Sequence, residues 1–334
     1  MRWALIGAST IASQYVIGAI RAQADGEVVR LVSGSAARAR QYAADHGIAE
    51  SGTDLDQALS DPRVAAVYVS STNEKHHEQA MAAIAAGRHV LCEKPLALTL
   101  EQAQAMVAAA DAAGVVFATN HHLRCSGSHR AMRALIAEGR IGRVLSLRLF
   151  HAVHLPENLR GWRINDAGAG GGVIPDITVH DADVARFLLG EDPVSVVAQM
   201  ASTGMGDGVE DSAMSVWAMP SGAMVMSHES FTHPFAGSGL EVHGTAGSIF
   251  ARGVMTQRPV GEIELVTAAG REAVAYPDHD LYAQGLAEFH AAVRGEGRPA
   301  ATGRDGVKSL AVALAVREAA RTGTRQAVDY GAGA

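Results

Sequence analysis

The sequence has few cysteines, few aromatic residues and no excess of positive charge. Its two cysteines, Cys92 and Cys125, cannot build a disulfide framework, so a reducing compartment such as the cytoplasm is expected. The 28 basic residues are outnumbered by 35 acidic ones, and there is no basic stripe of the kind that binds nucleic acid. No apolar run approaches the roughly 18 residues that a membrane-spanning helix needs. These features predict a protein that acts neither on nucleic acid nor in a membrane.

Apolar residues and glycines, by contrast, are plentiful. Hydrophobic residues fill 48% of the 334 positions, which is enough for a sizeable core and argues against intrinsic disorder. The 36 glycines, beside only 5% aromatic residues, indicate many tight turns and close approaches of the backbone to a ligand. A chain of this length is expected to form about two domains.

Short apolar runs alternate with helical patterns over the first third of the chain. Strands that are apolar on both faces and joined by helices are typical of a buried parallel sheet. The sequence therefore predicts an α/β fold class, with a Rossmann-type, doubly wound parallel sheet over residues 1–122. The predicted strands are 3–7, 28–32, 64–69, 89–92 and 115–119, and the predicted helices are 11–22, 36–45, 76–86 and 100–113.

The pattern changes beyond residue 123, where strands become longer and hairpin-like turns appear at 220–222 and 244–247. This pattern predicts a second domain at 123–334, of α+β type, built on a largely antiparallel sheet. Its closing helices are free to return and pack on the first domain. The predicted strands are 144–150, 194–199, 212–219, 224–231, 240–243 and 263–267, and the predicted helices are 281–294 and 305–322.

A nucleotide-binding turn is predicted after the first strand. Gly7, Ser9 and Ala12 occupy the positions at which a Rossmann fold carries G-x-G-x-x-G. Gly7 suits the tight turn, and the helix that follows presents its N-terminal N–H groups to the phosphates. Ser9 replaces the second glycine, which would let the backbone come closest to the pyrophosphate. Its Cβ should move the phosphates slightly outward, and its hydroxyl is available to donate a hydrogen bond to them.

The second strand predicts which dinucleotide binds. NAD enzymes usually hold the ribose 2′-OH with Asp or Glu at the end of this strand. Here the strand ends at Ser33, followed by Gly34 and then Arg38, whose guanidinium is suited to a 2′-phosphate. The alternative is that Arg38 is simply a solvated residue on an exposed helix. The missing acid favours NADP (NADPH) over NAD.

Four further motifs follow in order along the chain. Residues 71–76 read S-T-N-E-K-H, residues 93–95 read E-K-P, residues 161–163 read G-W-R, and three glycines at 170–172 precede Asp176 and His180. Together they resemble the T-x-N-x-x-H, E-K-P, W-R and D-x-x-x-H motifs of the Gfo/Idh/MocA oxidoreductase family. The resemblance covers essentially the whole chain, and the departures are Ser9, Ala12 and Ser33.

The resemblance implies hydride transfer between a nicotinamide cofactor and a small-molecule sugar, here NADPH-dependent reduction of a sugar ketone at C2. Another sugar or polyol dehydrogenase of the family, or a catalytically silent NADP-binding sensor, remains the alternative. A monomer or a homodimer is expected. The cofactor contacts implied are Gly7, Ser9, Thr10, Ile11, Ala12, Ser33, Gly34, Arg38, Ser71, Thr72, Asn73, His76, Glu93, Lys94, Asn120, Trp162, Arg163 and Tyr282.

Reduction of a ketone needs a proton donor beside the oxygen that becomes negative. A group that titrates near neutrality suits this role, which favours His180, with Lys94 stabilising the developing alkoxide. Asp176 lies four residues before His180, so the two would share one face of a helix, and Asp176 could orient the imidazole or bind a substrate hydroxyl. Lys94, Asp176 and His180 are the predicted catalytic residues. The expected substrate contacts are Lys94, Arg163, Asp176, His180 and Asp183.

Two of these assignments have simpler alternatives. Asp183 lies three residues beyond His180, so pairing along its helix is as reasonable as substrate binding. Fifteen histidines raise the question of zinc, but none of the pairs at 76–77, 121–122 and 151/154 has a third ligand at a usual zinc spacing. No metal is therefore expected.

Overall fold

A computed structural model describes residues 1–331 of the chain and divides it into two units. The first unit comprises Met1–His122 together with Tyr282–Val307, and the second comprises Leu123–Leu281 and the chain from Lys308 onward.

The first unit is built on six parallel strands in the order β3-β2-β1-β4-β5-β6. This is the doubly wound order, and the order reverses between β1 and β4, where such sheets bind ligands. The predicted α/β fold class is confirmed. The strands are β1 (Arg2–Ile6), β2 (Glu27–Val32), β3 (Glu50–Gly52), β4 (Ala66–Val69), β5 (His89–Cys92) and β6 (Phe117–Thr119).

The helices of the first unit begin and end where the sequence provides caps. The Ser35 side chain accepts a hydrogen bond from the backbone N–H of Arg38 at the start of α2, and Thr99 caps α5 in the same way. Both helices end at a glycine in the left-handed region, Gly47 and Gly114. The helices are α1 (Ile17–Arg21), which continues a π-helical segment (Ala12–Val16), α2 (Ala36–His46), α3 (Leu55–Leu59), α4 (His76–Ala85), which follows a 3₁₀ turn (Asn73–Lys75), and α5 (Leu100–Ala113).

The second unit is built on nine strands in the order β14-β13-β12-β11-β7-β10-β9-β8-β15. Every neighbouring pair is antiparallel except β7 and β10, which run parallel, so the predicted, largely antiparallel sheet is confirmed. The strands are β7 (Val144–Ala152), β8 (Ser195–Ala201), β9 (Ser212–Ala218), β10 (Met224–Ser230), β11 (Ser238–Gly244), β12 (Gly247–Arg252), β13 (Glu262–Thr267), β14 (Gly270–Ala273) and β15 (Gln326–Ala327).

One face of this sheet packs on helices and the other is open. Along β9 the buried residues Ala213, Ser215 and Trp217 alternate with exposed Met214 and Val216. The helices are α6 (Gly127–Ala137), which follows a 3₁₀ turn (His122–Cys125), α7 (Trp162–Asn165), which follows a 3₁₀ turn (Glu157–Leu159), and α8 (Val179–Leu189), which continues a π-helical segment (Ile174–Thr178). Two further helices close the chain, α9 (Leu281–Val293) and α10 (Gly303–Thr322).

Several short elements were not predicted from the sequence. β3 and α3 lie between the second and third predicted strands, and β12, β14 and β15 extend the second sheet. β3 has three residues and no apolar run, and all four residues of β14 are exposed, so neither carries the hydrophobic pattern that identifies a strand. Two predicted strands were too long, since β4 begins at Ala66 and β6 at Phe117.

Candidate cofactor site and proton-donor site

The turn after β1 is shaped by Gly7. Its φ is 113°, and a Cβ there would lie 2.7 Å from the backbone of Ser70 and Ser71 at the end of β4. The Ser9 hydroxyl donates to the Ser70 hydroxyl at 2.8 Å and accepts from the backbone N–H of Ala12 at 3.2 Å. Ser9 therefore ties the turn to β4 and caps the helix that follows.

Arg38 reaches from α2 back to this turn. Its guanidinium donates to the carbonyl oxygen of Ala8 at 2.6 Å. Ser33, at the end of β2, is buried, and its backbone N–H donates to the carbonyl of Gly52. Arg38 is exposed, and this hydrogen bond holds its charge beside the glycine turn, next to a strand end that has no carboxylate.

A hydrogen-bond network joins the ends of the central strands around Glu93. The Tyr68 hydroxyl and the Asn120 amide both donate to one Glu93 oxygen, the latter at 2.6 Å. Burial first, and then the negative charge of Glu93, raise the pKa of Tyr68 well above its usual range. Glu93 therefore fixes the loop in which Lys94 follows, on the side of the sheet where ligands bind. Tyr68 was missed by the sequence analysis because a buried tyrosine within an apolar strand is indistinguishable from core packing.

His76 is fully buried within the same loop cluster. Its Nδ1 lies 2.8 Å from the carbonyl oxygen of Pro95, and its Nε2 lies 3.2 Å from that of Ser71. Burial is the main reason that the pKa of His76 is lowered, which favours the neutral ring. A neutral ring has one N–H, so it donates to only one of these two carbonyl oxygens at a time. Asn73 is buried beside it, while Ser71 and Thr72 remain partly accessible.

Tyr282 is also placed in the first unit. It is buried and stacks between Tyr15, at 4.9 Å between ring centres, and His122, at 5.2 Å. This stack joins α9 to the helix after the glycine turn. Neither Tyr15 nor His122 was predicted, since nothing in their local sequence indicates a ring partner some 160 to 270 residues away.

In the second unit, Arg163 and Asp176 come together. The Arg163 Nε lies 3.6 Å from an Asp176 oxygen, and its guanidinium lies over the Trp162 ring at 4.6 Å. The glycine run makes this possible: the Gly172 N–H donates to the carbonyl of Arg163 at 2.8 Å, and its φ of 113° brings the backbone against the Glu210 carboxylate. A side chain at Gly172 would collide with Glu210.

The helix that carries Asp176 and His180 is not a regular α-helix. Residues Ile174–Thr178 form a π-helical turn, and α8 begins only at Val179. Asp176 therefore belongs to the π-helical segment and His180 to α8, and the sharing of one face by the two side chains stays a prediction. Pro175 lies within the first turn, as its tolerance required.

Asp183 is engaged by a side chain of its own unit. Its two oxygens accept hydrogen bonds from Arg124 at 2.7 and 2.8 Å, and both residues are buried. A bidentate pair of this kind favours the structural interpretation of Asp183 over substrate binding. His180, one turn earlier on α8, is buried to 7% exposure.

Another polar cluster below α8 was missed from the sequence. His151 on β7 pairs with Asp181 on α8, with Nδ1 and Oδ1 2.9 Å apart, and Ser227 and Glu229 on β10 adjoin the same carboxylate. Ser227 and Glu229 lie two residues apart on β10, with the half-buried His228 between them, so their polar side chains point to the same, buried face.

Within residues 1–331, no three His, Cys, Asp or Glu side chains are grouped so that they could hold a metal ion. No helix among the described residues is long and apolar enough to cross a membrane.

Comparison with known proteins agrees with this architecture. Residues 1–121 match the model of an oxidoreductase family with an NAD-binding Rossmann fold, and residues 129–250 match the GFO/IDH/MocA C-terminal domain. The chain is 56% identical to the 1,5-anhydro-D-fructose reductase of Ensifer adhaerens over 99% of both chains. It is 30% identical to the inositol 2-dehydrogenase of Rhizobium meliloti over 96% of this chain and 97% of that protein.

Among solved structures, the aldose-aldose oxidoreductase of Caulobacter crescentus superposes with a TM-score of 0.89 at 26% identity, covering 98% of this chain and 99% of the other. A levoglucosan dehydrogenase structure with NADH and levoglucosan has a TM-score of 0.87 at 24% identity over the same shares, a likeness of fold alone. The glycine turn and the strand ends beside it fit a nicotinamide dinucleotide, and the protein belongs to the Gfo/Idh/MocA family of oxidoreductases.

Proposed function

We propose that the protein reduces the C2 ketone of 1,5-anhydro-D-fructose to 1,5-anhydro-D-mannitol with NADPH. The observation that carries the proposal is the 56% identity to a 1,5-anhydro-D-fructose reductase over 99% of both chains. The match at that level of identity extends over both family domains.

NADPH is proposed over NADH because of the end of β2. A carboxylate at Ser33 would repel a 2′-phosphate, and the sequence has none there. Arg38, hydrogen-bonded to the carbonyl of Ala8, lies where a charge-assisted hydrogen bond to that phosphate is available. Residues 1–122 act in this proposal as the dinucleotide-binding domain.

The remaining cofactor contacts divide into two kinds. Thr10, Ile11, Gly34 and Lys94 are at least partly accessible and are proposed to contact the dinucleotide directly. Glu93 and His76 are proposed to act mainly by shaping the loops, since their polar atoms are engaged within the protein. Direct contacts are also proposed for Asn120, Trp162 and Arg163, while the buried Tyr282 is proposed to support the glycine turn through Tyr15.

When bound, the reduced nicotinamide supplies the hydride. His180 donates the proton to the ketone oxygen, and the Lys94 ammonium stabilises the negative charge that develops there. Asp176, oriented by Arg163, binds a substrate hydroxyl. Residues 123–334 form the substrate domain in this scheme. The two thiols, Cys92 and Cys125, are both free and buried, which suits a cytoplasmic protein.

The test follows absorbance at 340 nm while 1,5-anhydro-D-fructose is added to the protein with NADPH or with NADH. Rapid oxidation of NADPH, slow oxidation of NADH and a product that co-elutes with 1,5-anhydro-D-mannitol are expected. Oxidation only with a different sugar or an inositol, in a matched panel, would contradict the substrate and leave the oxidoreductase assignment intact. NADPH binding without oxidation of any sugar would favour the silent sensor.

A further inference from the structure

Four polar residues of the second unit form a chain of contacts beneath the proposed proton donor. His151 and Glu229 are register partners on the parallel strands β7 and β10, so they lie on the same face of the sheet. One oxygen of Asp181, on α8, is hydrogen-bonded to Nδ1 of His151. The Ser227 hydroxyl lies 3.3 Å from the other Asp181 oxygen and is also within hydrogen-bond distance of the Glu229 carboxyl group. Asp181, Ser227 and Glu229 are fully buried, and two carboxyl groups in a core are costly unless they share protons.

The negative charge of this chain resides on Asp181. Ser227 has one hydroxyl proton and cannot donate to two carboxylates at once. Burial, with a smaller contribution from Asp181, raises the pKa of Glu229 well above its usual range, so Glu229 is a neutral acid near pH 7. The hydroxyl of Ser227 is then available to Asp181, whose carboxylate holds the Nδ1–H of His151.

This arrangement leaves Nε2 of His151 as the reactive nitrogen. Among the described residues, Nε2 of His151 has no hydrogen-bond partner. This atom is not fully buried, and 11% of the His151 side-chain surface is accessible to solvent. The ring centres of His151 and His180 are 6.4 Å apart. A carboxylate that fixes one imidazole nitrogen and leaves the other accessible is the arrangement that acid–base catalysis uses.

The charged and titratable groups packed against His151 come from three elements. α8 contributes Asp181 and His180, β10 contributes Glu229, and α6 contributes His129. Burial, more than the nearby His151, lowers the pKa of His129 to about 3, so it is neutral. Of these groups, Asp181 is hydrogen-bonded to the His151 ring and His180 is in ring contact with it.

We propose that His151, held by Asp181, returns a proton to His180 after each turnover. The inference rests on the proposed function of His180. In the reduction, the His180 imidazolium gives its proton to the alkoxide oxygen and becomes imidazole. The Nε2–H of the His151 imidazolium then passes a proton to His180 through one bridging water, since the rings are beyond direct hydrogen-bond range. His151 regains a proton from solvent, and Asp181 remains a carboxylate throughout.

The test variant is His151→Asn, because the Asn amide nitrogen replaces Nδ1 and preserves the hydrogen bond to Asp181 while Nε2 is lost. We expect kcat near wild type at pH 6, where hydronium protonates His180 directly, and a loss of roughly tenfold or more at pH 8.5. Added imidazole should restore the loss in a concentration-dependent manner. His243→Asn is the control, since His243 also lies beside a carboxylate, Glu241, on the same sheet and should retain the wild-type profile.

A pH profile of His151→Asn that superimposes on wild type would overturn the relay. A loss that is equal at all pH values and insensitive to imidazole would do so as well, because it indicates a structural role. If the variant does not fold, nitrogen NMR of the wild-type protein decides the point. At high pH the proton of His151 should reside on Nδ1, and the opposite tautomer contradicts the dyad.

Failure of the proposed function is distinguishable from failure of this inference. If the wild-type protein does not oxidise NADPH with any of the sugars, the proposed function has failed before any variant is compared. If wild type is active and only the variant comparison is flat, the function stands and the relay does not.

Discussion

The two sheets of the molecule place functional groups in different ways. In the six-stranded parallel sheet of the first unit, β4 and β6 are buried along their whole length, and the functional residues lie in the loops after the strands. In the nine-stranded sheet of the second unit, buried polar side chains such as those of His151 and Glu229 project from the strands themselves, and the proposed proton donor His180 lies on α8 above them. The opposite face of this sheet exposes apolar residues such as Met214 and Met224.

The two sheets differ in how strongly the order of their strands decides which residues meet. Parallel strands end at one edge, so any loop after a central strand meets its neighbours there, and Glu93 and Asn120 come together for that reason. In a largely antiparallel sheet, a contact depends on register, and a shift by one residue would turn His151 to the other face. The first unit is therefore expected to control cofactor choice, and the second to control proton transfer.

The largest expected effect is on the second unit. His180→Ala removes the proposed proton donor, so kcat should fall by about 10²–10⁴-fold while the Kd for NADPH stays nearly unchanged. Steady-state kinetics and a fluorescence titration of NADPH measure the two quantities. Unchanged turnover would remove His180 from the chemistry, and an equal loss of NADPH binding would break the proposed division of labour between the units.

A smaller effect is expected from a change in the first unit. Ser33→Asp places a carboxylate beside the 2′-phosphate, so kcat/KM with NADPH should fall by roughly 10- to 100-fold, while that with NADH rises. Ser60→Asp adds the same charge at the exposed end of α3 and serves as the control. An unaltered NADPH preference in Ser33→Asp would mean that Ser33 does not face the adenosine ribose.

The smallest expected effect concerns stability. Because the pKa of Glu229 is raised in the folded protein, its stabilising contribution is complete below the unfolded pKa and is lost as pH rises toward the folded value. Glu229→Gln keeps the shape without the ionisation, so the stability advantage of this variant over wild type should grow steadily between pH 4.5 and pH 8. Thermal unfolding of both proteins across that range gives the difference. The exposed Glu138→Gln should show no such trend, and a parallel trend in Glu229→Gln and wild type would mean that Glu229 is ionised.

Local sequence patterns predicted much of the first unit correctly. Apart from β3 and α3, the strands and helices of residues 1–122 were readable in order, as were the glycine turn and the E-K-P loop, because each depends on residues close together in the chain. Local patterns were less successful for elements without an apolar pattern, such as β3 and β14, and for the π turn before α8, which the spacing of Asp176 and His180 concealed.

Local patterns also could not find partners that are distant in sequence. The exposed Met214 and Val216 are as apolar as their buried neighbours on β9, so the sequence could not show which face of the sheet is exposed. The sequence suggested Tyr282 as a cofactor contact but gave no sign that its ring stacks on Tyr15 and His122. Likewise, the sequence left open whether Asp183 binds substrate or pairs within the protein, and only the structure showed that Arg124 holds it.

By itself, then, the sequence determined the class of fold, the family and the chemistry that the strand ends support, since these follow from hydrophobic period and from short motifs. Only the tertiary structure decided which carboxyl groups are buried, which of them hold a proton, and which histidine adjoins His180. Those properties arise from the register of β7 with β10 and from the position of α8. There, polar groups that are 30 to 80 residues apart in the chain are buried together, and hydrogen bonds between them replace their hydrogen bonds to water.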